Sequence, residues 1–332
     1  MNPIPGEDQP KPRIAIVLSA GYFGFFAHAG FMLAVEELGI DYAAIAGSSA
    51  GAIVAALHAA GLSAKEIASL LTGIRRKDFW DTTGITGIIG ALVRKGRGWT
   101  GLLRGDRFEE LIERTLPVKR FEDCARSLYI TAFNLTLGAD ETFHSGTIAD
   151  KVRASCSYPF LLRPKAIDGC QYWDGGFLAK VPAETIIEIE RPDSLIVHYL
   201  PSGEPSDFTA RNWTAAAMME TALTAARLEI EHHRARALGL TGRELYRRAR
   251  DSGRLDIGGL DSRAVDSSGL GNRGLSLGTH WVVPDVPRVS PKDLSGGPRA
   301  IEAAYRGAMQ YFASLENGAP SLPAQPPKSP IS

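Results

Sequence analysis

The chain has 332 residues, 44% of them hydrophobic, which is enough for one sizeable core, and a single large α/β domain is expected rather than two. Its 37 basic and 37 acidic side chains cancel, so global charge gives no argument for a nucleic-acid partner. Three cysteines (Cys124, Cys156 and Cys170) form no disulfide framework and fit a reducing compartment, and no stretch of about 20 apolar residues is present to span a bilayer.

Residues Met1 to Pro12 are polar and proline-bearing, lack an apolar signal region, and read as a flexible N-terminal segment. A cytoplasmic protein is expected, with any membrane contact peripheral. The first core element is Arg13-Ile14-Ala15-Ile16-Val17-Leu18, a short β-branched run that predicts a buried parallel strand. It leads through Ser19-Ala20-Gly21-Tyr22-Phe23-Gly24 into a predicted helix from Ala27, with Gly39 as its stop. A glycine-bearing strand-to-helix turn presents backbone N–H groups that can hold an anionic oxygen. A dinucleotide-binding turn would want Gly-x-Gly-x-x-Gly, which Ser19, Gly21 and Gly24 do not supply.

Tyr42-Ala43-Ala44-Ile45-Ala46 reads as a second strand and Ala52 to Leu57 as a packed helix of small residues. Between them lies Gly47-Ser48-Ser49-Ala50-Gly51. Such an elbow uses its glycines for a tight turn and close helix–strand approach, and it exposes the Ser49 hydroxyl near the positive end of a helix dipole. By spacing alone the same five residues also suit a plain small-residue turn.

Further along, Gly61 predicts a helix stop, and Ser63 with Glu66 predicts a capping box. Phe79-Trp80 and the apolar stretch Gly84 to Val93 precede Arg94, Lys95, Arg97 and Trp99, which suits either a lipid interface or a cap helix with a solvated basic end. Asp106 and Glu109 repeat the capping signal before a short helix closed by Pro117, and Leu128 to Ala132 reads as another strand. Asp174-Gly175-Gly176 reads, taken alone, as a surface turn. His198 lies inside the apolar run Leu195 to Leu200, and His280 opens a strand before Trp281. Trp213 to Leu238 predicts a long helix, Asp256 to Gly278 a loop or lid, Pro298 to Leu315 a last helix, and residues 317–332 a disordered proline-rich tail.

Three blocks in this order resemble the patatin-like phospholipase family: the glycine turn after the first strand, Gly47-Ser48-Ser49-Ala50-Gly51, and Asp174-Gly175-Gly176. Ala154-Ser155 with Tyr158-Pro159, and Ile167-Asp168-Gly169, look like that family's approach to its aspartate, and Thr131 to Asn134 with Phe143 to Gly146 is similar to a further block. The resemblance implies a three-layer α/β/α fold with a mostly parallel central sheet, occupying residues 13–316 as one hydrolytic domain. It implies Ser49 as nucleophile, Asp174 as its general base and acid, and Gly21 and Tyr22 as oxyanion donors, with Gly47, Gly51, Gly175 and Gly176 shaping the turns. The family usually shows three consecutive glycines and then a basic residue. Here an ungapped match places Ala20, Gly21 and Tyr22 at the glycines and Gly24 at the basic position.

The implied activity is hydrolysis of lipid carboxylic esters, of phospholipase A or lysophospholipase type, through an acyl-enzyme. Neutral lipid, polyester and thioester substrates share that chemistry. A catalytically weak lipid- or partner-binding scaffold is the non-enzyme alternative. An α/β-hydrolase would add a histidine after the acid, from among His198, His232, His233 and His280, each of which reads as structural. His28 and His58 read as packing or supporting residues, His58 falling after the elbow helix. No metal-ligand spacing is present, so no metal or cofactor is expected, and the expected partner is a lipid ester substrate with peripheral membrane contact.

Overall fold

The computed structural model describes residues 13–82, 101–201, 278–290 and 293–316. The N-terminal segment, the apolar stretch 84–93, the 213–238 helix, almost all of the 256–278 loop and the proline-rich tail lie outside the described residues.

A sheet of eight strands forms the centre. In chain order these are β1 (Ile14–Leu18), β2 (Ala44–Ser48), β4 (Ser127–Asn134), β5 (Ala139–Phe143), β7 (Lys165–Ile167), β8 (Cys170–Trp173), β9 (Ser194–His198) and β10 (Gly278–Val282). The order across the sheet is β10-β9-β1-β2-β4-β8-β7, with β5 also on β4. From β10 to β4 every pairing is parallel, whereas β5, β8 and β7 join antiparallel. Two short strands, β3 (Gly101–Leu103) and β6 (Phe160–Leu162), pair separately.

Period-2 alternation divides the strand side chains between two cores. Ile16 and Leu18 of β1, Ile45 of β2, and Leu128 and Ile130 of β4 face one side. They pack there with α1 (Phe25–Glu37), α2 (Ala50–Ala59), α3 (Ala64–Gly73) and the C-terminal helix Gly297–Glu316. Ala15, Val17, Ala44, Ala46 and Tyr129 face the other, where Ile186 of the helix Glu184–Glu190 covers them. Helices on both faces of a mostly parallel sheet make the three layers that the motif order implies. α1 lies so close to the C-terminal helix that a Cβ on Gly30 would sit 2.0 Å from the Ile301 carbonyl oxygen, which is why that contact takes a glycine.

Local signals hold in several places and fail in others. Ser63 and Glu66 form the expected capping box on α3. The helix Asp106–Thr115 does not cap itself: Gly105 is its N-cap and contributes no side-chain bond. The buried carboxylate of Asp81 instead accepts the N–H groups of Gly105, Asp106 and Arg107 at 2.9, 2.7 and 3.2 Å. A carboxylate over the first amides of a helix does the work of a cap from 25 residues away in sequence. His280 lies in the middle of β10, not at its start, and His58 lies within α2, not beyond it.

Candidate active site

The site forms because β2 and β8 meet head-on along one edge of β4. Residue Ile130 of β4 pairs with both Gly47 and Phe143, and Phe133 pairs with both Asp140 and Trp173. β5 therefore occupies one edge of β4, and β2 and β8 share the other. β2 runs parallel to β4 and ends at the Ser48–Thr131 pair, while β8 runs antiparallel and ends at Trp173–Phe133. Their C-termini point at one another, and the next residue of each is Ser49 and Asp174. β8 is aimed by a tight hairpin whose central residues Asp168 and Gly169 both have positive φ, 47° and 82°, the pattern of a type I′ turn.

Ser49 sits at φ 52°, ψ −118°, a conformation that costs a non-glycine residue of order 1–3 kcal/mol. Its Oγ donates to Asp174 Oδ2 at 2.7 Å. Asp174 is 3% exposed, and its other oxygen accepts the Gly176 N–H at 2.8 Å. The glycines have visible steric causes. A Cβ on Gly51 would lie 2.3 Å from the Leu18 carbonyl oxygen, and one on Gly47 would lie 2.5 Å from that of Gly51. A Cβ on Gly175 would lie 2.0 Å from the Thr131 carbonyl oxygen, and one on Gly176 2.5 Å from the Ala20 side chain. The elbow thus meets the end of β1 and Ser19 through backbone, while the aspartate turn meets the β4 backbone and the Ala20 side chain.

The end of α6 (Ala149–Ser155, numbered with the helix Asp106–Thr115 as α5 and the short turn Arg76–Phe79 as α4) and the two residues after it clamp both members of the pair. Ser155 Oγ accepts the Ser49 N–H at 2.9 Å and donates to the Thr131 carbonyl at 2.7 Å. The Cys156 thiol donates to the Ser49 carbonyl at 3.2 Å, and the Ser157 carbonyl accepts the Asp174 N–H at 3.0 Å. Burial and then the Asp174 charge push the Cys156 thiol well above its ordinary pKa, so it stays protonated and able to donate. Ser157 is held in turn by the buried guanidinium of Arg153, which also donates to the carbonyls of Arg104, Gly105 and Arg163. None of these four roles is legible in the sequence. The Ala154 to Tyr158 block resembles a family motif, but a serine among small residues carries no spacing signal of what it will bond.

Gly21 and Tyr22 lie in the turn leaving β1, whose last residue Leu18 is in register with Gly47. The Ala20 N–H is taken by the Lys180 carbonyl at 2.7 Å, so the first amides beyond that anchor belong to Gly21 and Tyr22. The Gly21 carbonyl accepts the Gly24 N–H at 2.8 Å, and Phe23 is held at φ 53°.

Four described histidines have other partners, and His144 lies beside the Tyr129 ring. His28 Nδ1 and His198 Nδ1 are 2.7 Å apart, and His28 Nε2 is 2.8 Å from the Ser19 carbonyl. His58 lies between Tyr42 at 2.6 Å and Glu36 at 3.0 Å, and His280 lies beside Tyr311. His232 and His233 lie outside the described residues. Among the described residues, no group of three His, Cys, Asp or Glu side chains is placed to hold a metal ion, and no helix is long and apolar enough to cross a membrane.

The model of the family described as patatin-like phospholipase matches residues 16–187, more than half of the chain, a span that holds the Ser19–Gly24 turn, Ser49 and Asp174. The chain belongs to that family. A relative in Mycobacterium tuberculosis, described as an uncharacterized NTE family protein, is 29% identical over 178 residues, covering 53% of this chain and 46% of its own length. A protein of Kluyveromyces lactis named lysophospholipase NTE1 is 28% identical over 204 residues, 60% of this chain and 13% of that one. This patatin-like chain thus spans less than half the length of either relative. Among solved structures, VipD from Legionella pneumophila aligns over 92% of this chain and 67% of its own, with 17% identity and a TM-score of 0.47.

Proposed function

We propose that the chain is a serine acyl hydrolase that cleaves carboxylic esters of lipids through a Ser49–Asp174 dyad, with residues 13–316 as its single hydrolytic domain. The observation that carries this reading is the 2.7 Å hydrogen bond from Ser49 Oγ to a nearly buried carboxylate. A serine hydroxyl needs a base within such reach to act as a nucleophile at neutral pH. Ser49 attacks the ester carbonyl and passes its proton to Asp174 Oδ2. The Gly176 N–H on Oδ1 keeps the carboxylate turned so that Oδ2 faces Ser49. The tetrahedral oxyanion is stabilised by the amides of Gly21 and Tyr22, each good donor of this kind contributing about 3–4 kcal/mol in acyl transfer. Asp174 then returns the proton to the leaving alkoxide, and an acyl-Ser49 ester remains. Water opens it by the same steps, with Asp174 again taking and returning the proton.

The other partners of His28, His58, His198 and His280 support a dyad over a triad. The family, and a relative named as a lysophospholipase, support glycerophospholipid or lysophospholipid substrates. The direct test combines a fluorophosphonate with a mixed lipid extract. Labelling is expected on Ser49, and fatty acid release seen by mass spectrometry is expected to disappear in Ser49→Ala. Release of fatty acid by Ser49→Ala at the wild-type rate would refute the assignment. Absence of both labelling and release in the wild type would favour a non-catalytic scaffold.

A further inference from the structure

Beneath the Ser19–Gly24 turn lies a buried polar chain that the chemistry at Ser49 does not use. His28 on α1 and His198 at the end of β9 are 170 residues apart in sequence, and both are fully buried. Their hydrogen bonds run in one direction. A carbonyl only accepts, so His28 Nε2 carries the proton it shares with the Ser19 oxygen at 2.8 Å. A neutral His28 then has a bare Nδ1, and His198 Nδ1 must donate to it across 2.7 Å. That leaves His198 Nε2 without a proton, buried and with no hydrogen-bond partner among the described residues. Phe31 stacks flat on the His198 ring, 4.5 Å between centroids and 10° between planes, and fixes its orientation. Burial holds both rings neutral, taking the His28 pKa down to about 3 and that of His198 well below its ordinary value.

Everything in this chain converges on one residue. The Ser19 carbonyl accepts from His28, its N–H donates to the His198 carbonyl at 3.1 Å, and its hydroxyl accepts the Leu200 N–H at 2.9 Å. Two residues later come the proposed oxyanion amides. The turn is not relaxed: Phe23 holds a positive φ that a bulky residue adopts only under constraint. Apolar side chains would fill the same volume without the cost of burying ring nitrogens, but they could not hold the Ser19 carbonyl.

We propose that His28 and His198 are positioning residues for the oxyanion turn, fixing the Ser19 peptide so that the Gly21 and Tyr22 amides are pre-aimed at the oxyanion of the Ser49 adduct. This rests on the reading of Ser49 as nucleophile and of the turn as its oxyanion hole. A preorganised donor contributes to the transition state and not to ground-state binding, so its misplacement lowers turnover and leaves substrate affinity alone.

The test uses the full chain and counts active sites by the end-point of fluorophosphonate labelling, so that misfolded protein is removed from the rate. For His28→Leu and His198→Leu, turnover of a soluble ester per labelled Ser49 is expected to fall about tenfold to a hundredfold with KM within about twofold. Inhibition by a trifluoromethyl ketone, whose hemiketal mimics the oxyanion, should weaken by the same factor. His198→Asn keeps an N–H donor near the Nδ1 position and should recover turnover to within about threefold of wild type, whereas His198→Gln, which reaches past it, should not. That Asn–Gln comparison carries the test if the leucine variants fail to fold. His58→Asn, which removes a buried histidine outside this chain, should leave turnover per site unchanged. Labelled variants with wild-type turnover per site and wild-type ketone affinity would overturn the inference alone. A wild-type protein that neither labels nor hydrolyses would overturn the underlying reading, and the inference with it.

Discussion

Ser155 holds Ser49 by its backbone: its Oγ accepts the Ser49 N–H at 2.9 Å and passes its own proton to the Thr131 carbonyl at 2.7 Å. The elbow's strain at φ 52° thus has a specific restraint, contributed by the helix that also leads into the Asp174 contact. Ser155→Ala removes one hydroxyl but leaves two backbone groups unpaired, an N–H and a C=O. The expected loss of stability is about 1–3 kcal/mol for the group left buried, read from denaturant unfolding. Turnover per labelled Ser49 should fall about tenfold, because the nucleophile's backbone is no longer held. Loss of stability with an unchanged rate per site would show that the strands alone define the elbow.

The dyad predicts a sharp contrast between isosteric changes. In Asp174→Asn the amide can still accept from the Gly176 N–H through its oxygen, which turns its NH2 toward Ser49 Oγ. Fold and melting temperature should then stay near wild type while ester hydrolysis is abolished, as in Ser49→Ala. His280→Gln, on the β10 strand beside Tyr311, should leave hydrolysis within about threefold, since no proton of the reaction passes through it. An indispensable His280 would replace the dyad with a triad.

The parts of this fold legible in sequence are those set by local apolar pattern. β1, α1, α2, β4 and β9 follow from continuous apolar or small-residue runs that are buried almost throughout, the last helix follows from its apolar pattern, and the Ser63–Glu66 box marks α3. β2 is expected over residues 42–46 but runs from Ala44 to Ser48, because Gly47 and Ser48 continue the ladder to β4 before the elbow begins. The parts not legible depend on contacts between distant segments. Cys170–Trp173 is too short and mixed to announce a strand, yet its antiparallel pairing is what turns Asp174 toward Ser49. Asp81 caps a helix it does not adjoin, and the His28–His198 chain joins two elements that only the β1–β9 pairing brings together. Ser49 and Asp174 stood out because glycine-rich turns flag them; Ser155, Ser157 and Arg153 have no such flag.

Buried neutral histidines make stability depend on pH in a predictable direction. His28, His58 and His198 all have pKa values lowered mainly by burial, that of His28 to about 3. The unfolded chain therefore binds protons at these sites that the folded chain refuses. Each ring contributes stability that is present above about pH 6.5 and is lost as pH falls through its lowered folded pKa; for His28 the loss runs on toward about pH 3, at up to about 1.4 kcal/mol per pH unit. Urea midpoints should be flat from pH 8 to 7 and should drop by pH 5.5, before ordinary carboxylates titrate. His198→Asn should show a shallower drop. A midpoint unchanged between pH 7.5 and 5.5 would mean that these rings take up protons equally in both states.

The turn after β1 offers the most discriminating test, in a comparison of Gly21→Ala with Gly21→Pro, which removes the N–H and also restricts φ. A Cβ at residue 21 would meet Leu200 Cδ1 at 2.7 Å and Leu200 Cβ at 3.1 Å; rotation of Leu200 relieves the first contact, and the alanine variant measures the cost of the second. Alanine retains the backbone N–H at this position; proline removes it. If that N–H binds the oxyanion, Gly21→Ala should keep turnover within about tenfold, or about 1.4 kcal/mol of barrier. Gly21→Pro should lose at least about a hundredfold, the loss expected for one oxyanion donor. Tyr22→Gly should also stay within about tenfold, because the proposed contribution of residue 22 is its amide and not its exposed ring. Each variant is compared per labelled Ser49 and checked for native circular dichroism. A folded Gly21→Pro protein as active as Gly21→Ala would move the oxyanion site to the first amide of α2, that of Ala50 beside the nucleophile.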